Sequence, residues 1–360
     1  MKDDSIMLGE SHSKPDLYTY NTLIDAWSKS NKSNAPMEAE SLLLEIIDSF
    51  TKGEQPKGPD IITYNTVINC WSKSNRFEGP NRALTILQSM IATYNDKVGS
   101  QNNIRPNTIT YSTVMDAYAK QDNVDGANKV FDMMKEDFYS GNRNAKPNIQ
   151  TFIFLIDAWS KSNDLSASKA SESLLTEMLD LYSKGILTKG PDTATYNTVI
   201  DCLSKSNRMD GPSRALNILT TMIATYNDNG NKEDVRPDTI TYSAVMDAYA
   251  KVGDVDGTNK VFSMMKKDYH LGNIHSKPNI VTYTILMDSW ANNIDSENNK
   301  NKNIPVEEVE TILQEINNCY DNGELNEGPN KVTYTTMIKC LKKYEGTEDR
   351  VRELKMLLCR

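Results

Sequence analysis

The 360-residue chain carries a formal net charge of -9 and 38% hydrophobic residues, with a mean hydropathy of -0.57. That charge counts against a protein that coats itself with nucleic acid indiscriminately, and no apolar run of about 18 residues offers a membrane span. The apolar residues recur periodically enough to argue against disorder.

A Pro-Asp pair, Pro15-Asp16, opens the phrase L-Y-T-Y-N-T-L-I, which returns after Pro59, Pro106, Pro147, Pro191, Pro237, Pro278 and Pro329 at intervals of 41 to 51 residues. A repeat of this size signals one supersecondary unit stacked many times, which moves the question from an active site to a binding surface. Seven complete units are expected at 17–60, 61–107, 108–148, 149–192, 193–238, 239–279 and 280–330. Residues 1–16 read as the tail of a truncated earlier unit, and 331–360 as a partial eighth. Units resemble the unit three places on better than their neighbours: I-T-Y-N-T-V-I-N-C-W-S-K-S-N-R from Ile62 returns as A-T-Y-N-T-V-I-D-C-L-S-K-S-N-R from Ala194. The array therefore grew by duplicating a three-unit cassette.

Within the second unit, Tyr64, Val67, Ile68 and Trp71 fall at i, i+3, i+4 and i+7, one stripe of an amphipathic helix. Ser74-Asn75 ends it, and Gly79-Pro80 starts a second helix with Ala83, Leu84, Leu87, Met90, Ile91 and Tyr94 as its stripe. Each unit is thus a helical hairpin, helix A then helix B, and neither face can be covered by one unit alone. The expected fold is all-α, a right-handed α-solenoid of stacked antiparallel helical hairpins. The seventh unit carries a polar insertion near 292–305, whose Asn-rich composition predicts a mobile loop. Met1-Lys2-Asp3-Asp4 has no Arg-rich or apolar leader, so no targeting segment is expected in this sequence.

Cys70, Cys202 and Cys340 share one place in their units, which reads as repeat inheritance in an apolar helix position and predicts buried, reduced thiols. The three His residues are scattered, and acidic residues sit at repeat positions rather than in a unique cluster, so neither a metal, a cofactor, a small-molecule substrate nor an enzyme active site is expected. No H-x-E with P-C-x-x-C zinc-deaminase pattern is present.

The phrase T-Y-N-T-hydrophobic-I-D-A-hydrophobic-x-K, a second helix with an A-x-x-hydrophobic core, and a closing x-x-P-D closely resemble the pentatricopeptide repeat over residues 15 to 360. The departure is length, since that family's commonest unit has about 35 residues; here helix B or the loop after it must be longer. The resemblance implies single-stranded RNA as partner, one base per repeat. It also implies an organellar setting, in mitochondrion or plastid, and a role in RNA stabilisation, processing or translation.

In that family the fifth residue of a unit and its last residue read the base. By resemblance the pairs are Asn21 with Asp60, Asn65 with Asn107, Ser112 with Asn148, Asn197 with Asp238, Ser243 with Asn279, and Thr284 with Asn330. Thr335 opens an eighth pair, and Asp192 faces Ile153, which fits no family rule. Asn with Asp implies uracil, Asn with Asn a pyrimidine, and Ser or Thr with Asn adenine, giving 5'-UYANUAA-3'. The second residue of a unit packs between bases, a role implied here for Ile62, Ile109, Ile240, Val281 and Val332. The thirteenth reaches phosphate, which implies Lys29, Lys73, Lys120, Lys161, Lys205, Lys251 and Lys343, with Asn292 the exception.

Simpler roles exist for each column. The lysines lie near helix A's C-terminus, where a cation favours the dipole, often four residues after an Asp. The terminal Asp or Asn of a unit suits the N-cap of the next helix. The repeated tyrosines Tyr20, Tyr64, Tyr111, Tyr196, Tyr242, Tyr283 and Tyr334, with Phe152, read as interhelical core. The competing functions are a protein-interaction scaffold, favoured by the acidic charge, and the specificity arm of an RNA-processing enzyme whose catalytic domain lies elsewhere.

Overall fold

The computed structural model describes residues 15–95, 104–162, 164, 166–206, 208–228, 233–293, 304–344 and 346–358. Most of the segment that predicts a mobile loop in the seventh unit lies outside the described residues. Among those described, every regular element is helical. The α-helices are α1 (Leu17–Lys29), α2 (Ala35–Thr51), α3 (Ile61–Ser72), α4 (Gly79–Asn95), α5 (Thr108–Ala119), α6 (Val124–Tyr139), α7 (Ile149–Lys161) and α8 (Ala167–Ser183). They continue with α9 (Thr193–Lys205), α10 (Gly211–Asp228), α11 (Thr239–Lys251), α12 (Val255–His270), α13 (Ile280–Asn292), α14 (Ile304–Asp321), α15 (Lys331–Leu341) and α16 (Glu348–Leu358).

The chain divides into two compact units, residues 1–158 and 159–360. In the first, α1 packs on α2 and α3, α3 on α4 and α5, and α5 on α6, while α2 and α4 also touch the next odd helix. In the second, α9, α11, α13 and α15 form the same kind of row, each flanked by the even helices before and after it. Each unit is therefore a stack of helical hairpins.

The cores follow the stripes. Tyr64, Val67, Ile68 and Trp71 of α3 are buried, as are Ala83, Leu84, Leu87 and Met90 of α4, while Ile91 and Tyr94 are half-buried. Complete burial of a side chain such as Leu87 stabilises by about 1.5–3 kcal/mol. The helix A tyrosines sit inside the hairpin and turn their hydroxyls to helix B: Tyr20 donates to Glu45 Oε1 (2.7 Å), Tyr111 to Asp137 Oδ2 (3.1 Å) and Tyr283 to Glu315 Oε1 (3.1 Å). Burial, then the Glu45 carboxylate, pushes the Tyr20 phenol up to about 12. Cys70, Cys202 and Cys340 are buried free thiols, and burial pushes Cys70 up to about 11.

Successive hairpins are tied by side chains that recur with the cassette. Arg82 of α4 forms an ion pair with Glu40 of α2, whose other oxygen accepts from Trp71 Nε1 at 2.9 Å. The same helix B to helix B pair returns as Arg214 with Glu172, and again as Arg350 with Glu310 (2.7 Å). Between the second and third hairpins the tie is different: Tyr118 OH donates to Asn81 Oδ1 (2.8 Å), and its ring lies over Gly126, where an added Cβ would come within 2.1 Å of it.

In five repeats the segment after helix B forms an ordered connector. The connectors 52–60, 140–148, 184–192, 271–279 and 322–330 share one length, and each turns on a glycine with positive φ, at Gly53, Gly141, Gly185, Gly272 and Gly323. Three of them hydrogen-bond back to the residues just before their own helix A. Asn142 Nδ2 donates to the Pro106 carbonyl and Asn273 Nδ2 to the Pro237 carbonyl, both at 2.8 Å, and Gln55 makes the same contact to Pro15. Thr108 and Thr239, which open α5 and α11, donate to the Lys146 and Lys277 carbonyls at 2.7 and 2.9 Å.

Candidate functional site

Helix A of every repeat begins with the same local chemistry. The Asp or Asn after the Pro takes an extended backbone and its side-chain oxygen accepts the amide N–H three residues on, a preferred N-cap arrangement. Asp60 caps α3 this way through Thr63 N (2.8 Å), Asn107 caps α5 through Thr110 N (3.0 Å) and Asn148 caps α7 through Thr151 N (3.1 Å). Asp192, Asp238, Asn279 and Asn330 cap α9, α11, α13 and α15 likewise. All seven last-position residues are thus helix caps, with one side-chain oxygen already in use.

The fifth-position side chains lie one turn into helix A and are half-buried, Thr335 being exposed. The structure brings several of them against the cap that closes their own repeat. Asn197 Nδ2 donates directly to Asp238 Oδ1 at 3.2 Å. Asn21 meets Asp60 through the Thr63 hydroxyl, which lies 2.7 Å from Asn21 Oδ1 and 2.8 Å from Asp60 Oδ1. Asn65 and Asn107 flank Thr110 in the same manner, at 2.7 and 3.0 Å, and Thr284 reaches Thr333, which holds Asn330, at 3.3 Å. Ser112 and Ser243 turn their hydroxyls back to the carbonyl four residues earlier, Thr108 at 2.7 Å and Thr239 at 2.6 Å, as Thr284 also does to Ile280 at 2.7 Å. Thr335 does the same to Lys331 at 2.7 Å.

The second-position residues project away from the core. Ile62, Ile109, Ile240, Val281 and Val332 are 61%, 64%, 66%, 53% and 62% exposed, and Tyr18 stands out further still. These branched aliphatic side chains expose more than half their surface and recur at one register of helix A. In the first repeat a cleft of about 640 Å³ is lined by Tyr18, Asn21, Asp60 and Ile62 together with Gln55 and Lys57 of the connector. A counterpart of about 420 Å³ in the seventh repeat is lined by Lys277, Asn279, Val281, Glu324 and Glu327.

The lysine column is charge-paired rather than bare. Lys29 bridges Asp25 (2.6 Å), Lys120 Asp116 (2.5 Å), Lys205 Asp201 (2.5 Å) and Lys251 Asp247 (2.7 Å), each four residues apart on helix A. Lys161 closes α7 and is exposed. Lys73 and Lys343 are exposed and make no ion pair among the described residues; in the second repeat the ninth position holds Asn69 instead of Asp. Where the thirteenth residue is Asn292, a cation comes from the next repeat: Lys339 reaches Asp288 Oδ1 at 2.8 Å and Asn292 Oδ1 at 2.7 Å.

Two features of the site escaped the sequence reading. Thr63 and its equivalents Thr110, Thr151, Thr195, Thr241, Thr282 and Thr333 are buried, and Thr63, Thr110 and Thr333 link a cap to a fifth-position side chain, while Thr19 is exposed; a threonine at this place in all eight repeats was the available signal. The connector wall at Gln55 and Lys57 had none, because its polar composition does not distinguish a packed segment from a free one.

The chain is thus an α-helical repeat protein with a recurring row of exposed aliphatic and polar positions on helix A. Family models confirm what kind: one described as PPR repeat family matches residues 106–161 and 237–292, and one described as PPR repeat matches 18–49, 62–79 and 194–212, together half the chain. The chain belongs to the pentatricopeptide repeat family. Among curated proteins none matches the sequence. Two solved structures of the pentatricopeptide repeat protein PPR10, both in complex with an 18-nt psaJ RNA element and one of them a triple cysteine-to-serine variant, are similar at 19% identity with a TM-score of 0.37. Each match covers 95% of this chain and 50% of PPR10, so the chain spans about half the length of that protein.

Proposed function

We propose that this protein binds single-stranded RNA in a sequence-specific way, one base per repeat, with 5'-UYANUAA-3' as the target. The observation that carries the reading is the coincidence at one place of three things: an exposed branched aliphatic residue such as Ile62, the pair Asn21 and Asp60, and a cleft lined by all of them. An unstacked base needs an apolar surface for its face and short polar groups for its Watson–Crick edge, and this place offers both. Asn21/Asp60 and Asn197/Asp238 would read uracil, Asn65/Asn107 a pyrimidine, and Ser112/Asn148, Ser243/Asn279 and Thr284/Asn330 adenine. Ile153 leaves the fourth base unread. Lys29, Lys73, Lys120, Lys161, Lys205, Lys251 and Lys343 would meet phosphate. Occupying its site, the protein would protect or remodel a transcript, in an organelle as its family suggests.

The test is binding of the labelled heptamer against its complement and the matching DNA over a range of salt. Tight binding to the heptamer alone supports the reading. Equal weak binding to every oligonucleotide sinks it, and a partner that survives ribonuclease treatment would favour a protein scaffold.

A further inference from the structure

The buried third-position threonines do two different things: those preceded by a Ser at the fifth position turn the hydroxyl to the backbone, and the others turn it to side-chain oxygens, as Thr195 does to Asp192 Oδ1 at 2.7 Å. Where the fifth residue of the preceding repeat is Asn, the hydroxyl points at side chains: Thr63 Oγ1 lies 2.7 Å from Asn21 Oδ1 and 2.8 Å from Asp60 Oδ1, and Thr110 Oγ1 lies 2.7 Å from Asn65 Oδ1. Where that residue is Ser, the hydroxyl donates to the cap's own backbone carbonyl instead, Thr151 to Asn148 and Thr282 to Asn279, both at 2.7 Å. The capping function is common to both sets, since the cap's backbone N–H reaches the threonine oxygen in each, at 3.2 Å for Thr63 and 3.2 Å for Thr151.

A hydroxyl has one proton. With its oxygen accepting from the Asp60 N–H, Thr63 can donate to Asn21 Oδ1 or to Asp60 Oδ1, and the oxygen it does not take remains an acceptor. The Asn197/Asp238 pair displays the outcome: Thr241 donates to Asp238 Oδ1 (2.8 Å), Asn197 turns its amino group to the same oxygen, and Asn197 Oδ1 is left with no hydrogen-bond partner. Asn197 Oδ1 is buried here and meets a base edge only once the side chain turns outward; turned so, an acceptor suits an N–H and repels a bare ring nitrogen.

We propose that Thr63 and Thr110 are positioning residues for base discrimination, orienting the Asn and cap side chains that face the base while touching no base themselves. This rests on the RNA-reading function proposed above. Without the Thr63 hydroxyl, the Asn21 carbonyl and the Asp60 carboxylate lose the proton between them, and the amide is free to rotate and present either edge.

The test uses the full chain with Thr63→Val, Thr110→Val, Thr63→Ser and, as control, Thr151→Val. For each protein the ratio of affinities for the heptamer and for its single-base variants is measured, a ratio in which any loss of folded fraction cancels. Thr63→Val should reduce discrimination at the first base, and Thr110→Val at the second, by roughly threefold to tenfold, the worth of one hydrogen bond. Thr63→Ser should restore it, and Thr151→Val, which damages an equivalent cap, should leave the third base's ratio unchanged. Unaltered ratios in Thr63→Val and Thr110→Val, or an equal loss in Thr151→Val, would overturn the inference. A wild-type protein with no base preference would instead defeat the RNA-reading function itself.

Discussion

Asn197 and Asp238 lie 41 residues apart in sequence, yet the Asn197 amide donates to the Asp238 carboxylate at 3.2 Å. Asp238 simultaneously caps α11 through Thr241 N at 2.8 Å. The two roles of the cap can be separated, because Asn caps helices as well as Asp does. Asn197→Thr combined with Asp238→Asn should keep the melting temperature within a few degrees while moving the fifth-base preference from uracil to adenine. Unchanged preference in a folded double variant would mean that both residues serve only the helix start. Asp238→Ala, by contrast, should cost about 1 kcal/mol of stability through the lost cap.

The lysine column should act unevenly. Lys73 has no carboxylate four residues before it and is exposed, whereas Lys120 is held by Asp116 at 2.5 Å. A phosphate must compete with Asp116 for Lys120 but has Lys73 to itself. Lys73→Ala should therefore weaken binding to all sequences alike and lower the log-log salt slope by about 0.7, the share of one phosphate on a single strand. Lys120→Ala should change it less, and Asp116→Asn should tighten binding. Titrations of the three variants across salt decide this; equal slopes for both lysine variants would count against the proposed phosphate contacts.

Much of the fold was legible because it is local and periodic. The stripe Tyr64, Val67, Ile68 and Trp71 marks α3, and Gly79-Pro80 marks the start of α4. The connectors were not legible, because their order depends on single contacts to residues far away in sequence, such as Asn142 to the Pro106 carbonyl. For the site, the Asp that pairs with most of the lysines was visible at i-4, but the contact by which Lys339 stands in for a lysine at Asn292 comes from the next repeat and leaves no local trace. The proximity of Asn21 to Asp60 follows only once hairpins stack in register, and its link through Thr63 depends on the side-chain packing between them.

Gly126 should be intolerant of any side chain. It lies in the first turn of α6 beneath the Tyr118 ring, and a Cβ there would stand 2.1 Å from Tyr118 Cδ1. The ring is buried, and its hydroxyl is tied to Asn81 of the previous repeat, so it has no room to yield. Gly126→Ala should destabilise by about 1–3 kcal/mol, the usual cost of overpacking, even though alanine is the better helix former. Adding Tyr118→Leu should recover part of the loss. A Gly126→Ala protein as stable as the parent in urea would show that the two repeats separate more easily than this packing implies.

The buried tyrosines set an alkaline limit on stability. Burial raises Tyr64, Tyr111, Tyr196, Tyr242 and Tyr283 above the ordinary phenol value of 10.0, and nearby carboxylates add to this at Tyr111 and Tyr242. A folded-state pKa above the unfolded one means that the folded chain retains protons the unfolded chain releases. The stabilising contribution is fully present below about pH 10 and is lost as pH rises through the folded values. Unfolding should therefore set in above pH 10, with tyrosinate absorbance and loss of helix appearing together; tyrosines that ionise at their ordinary value before the helices melt would contradict it. Tyr111→Phe gives a crossing test. It forfeits the 3.1 Å bond to Asp137, which Arg105 also holds at 3.1 Å, and should cost about 1 kcal/mol at neutral pH. With no phenol left at that place to ionise, the variant should lose less stability than the parent between pH 9 and 11.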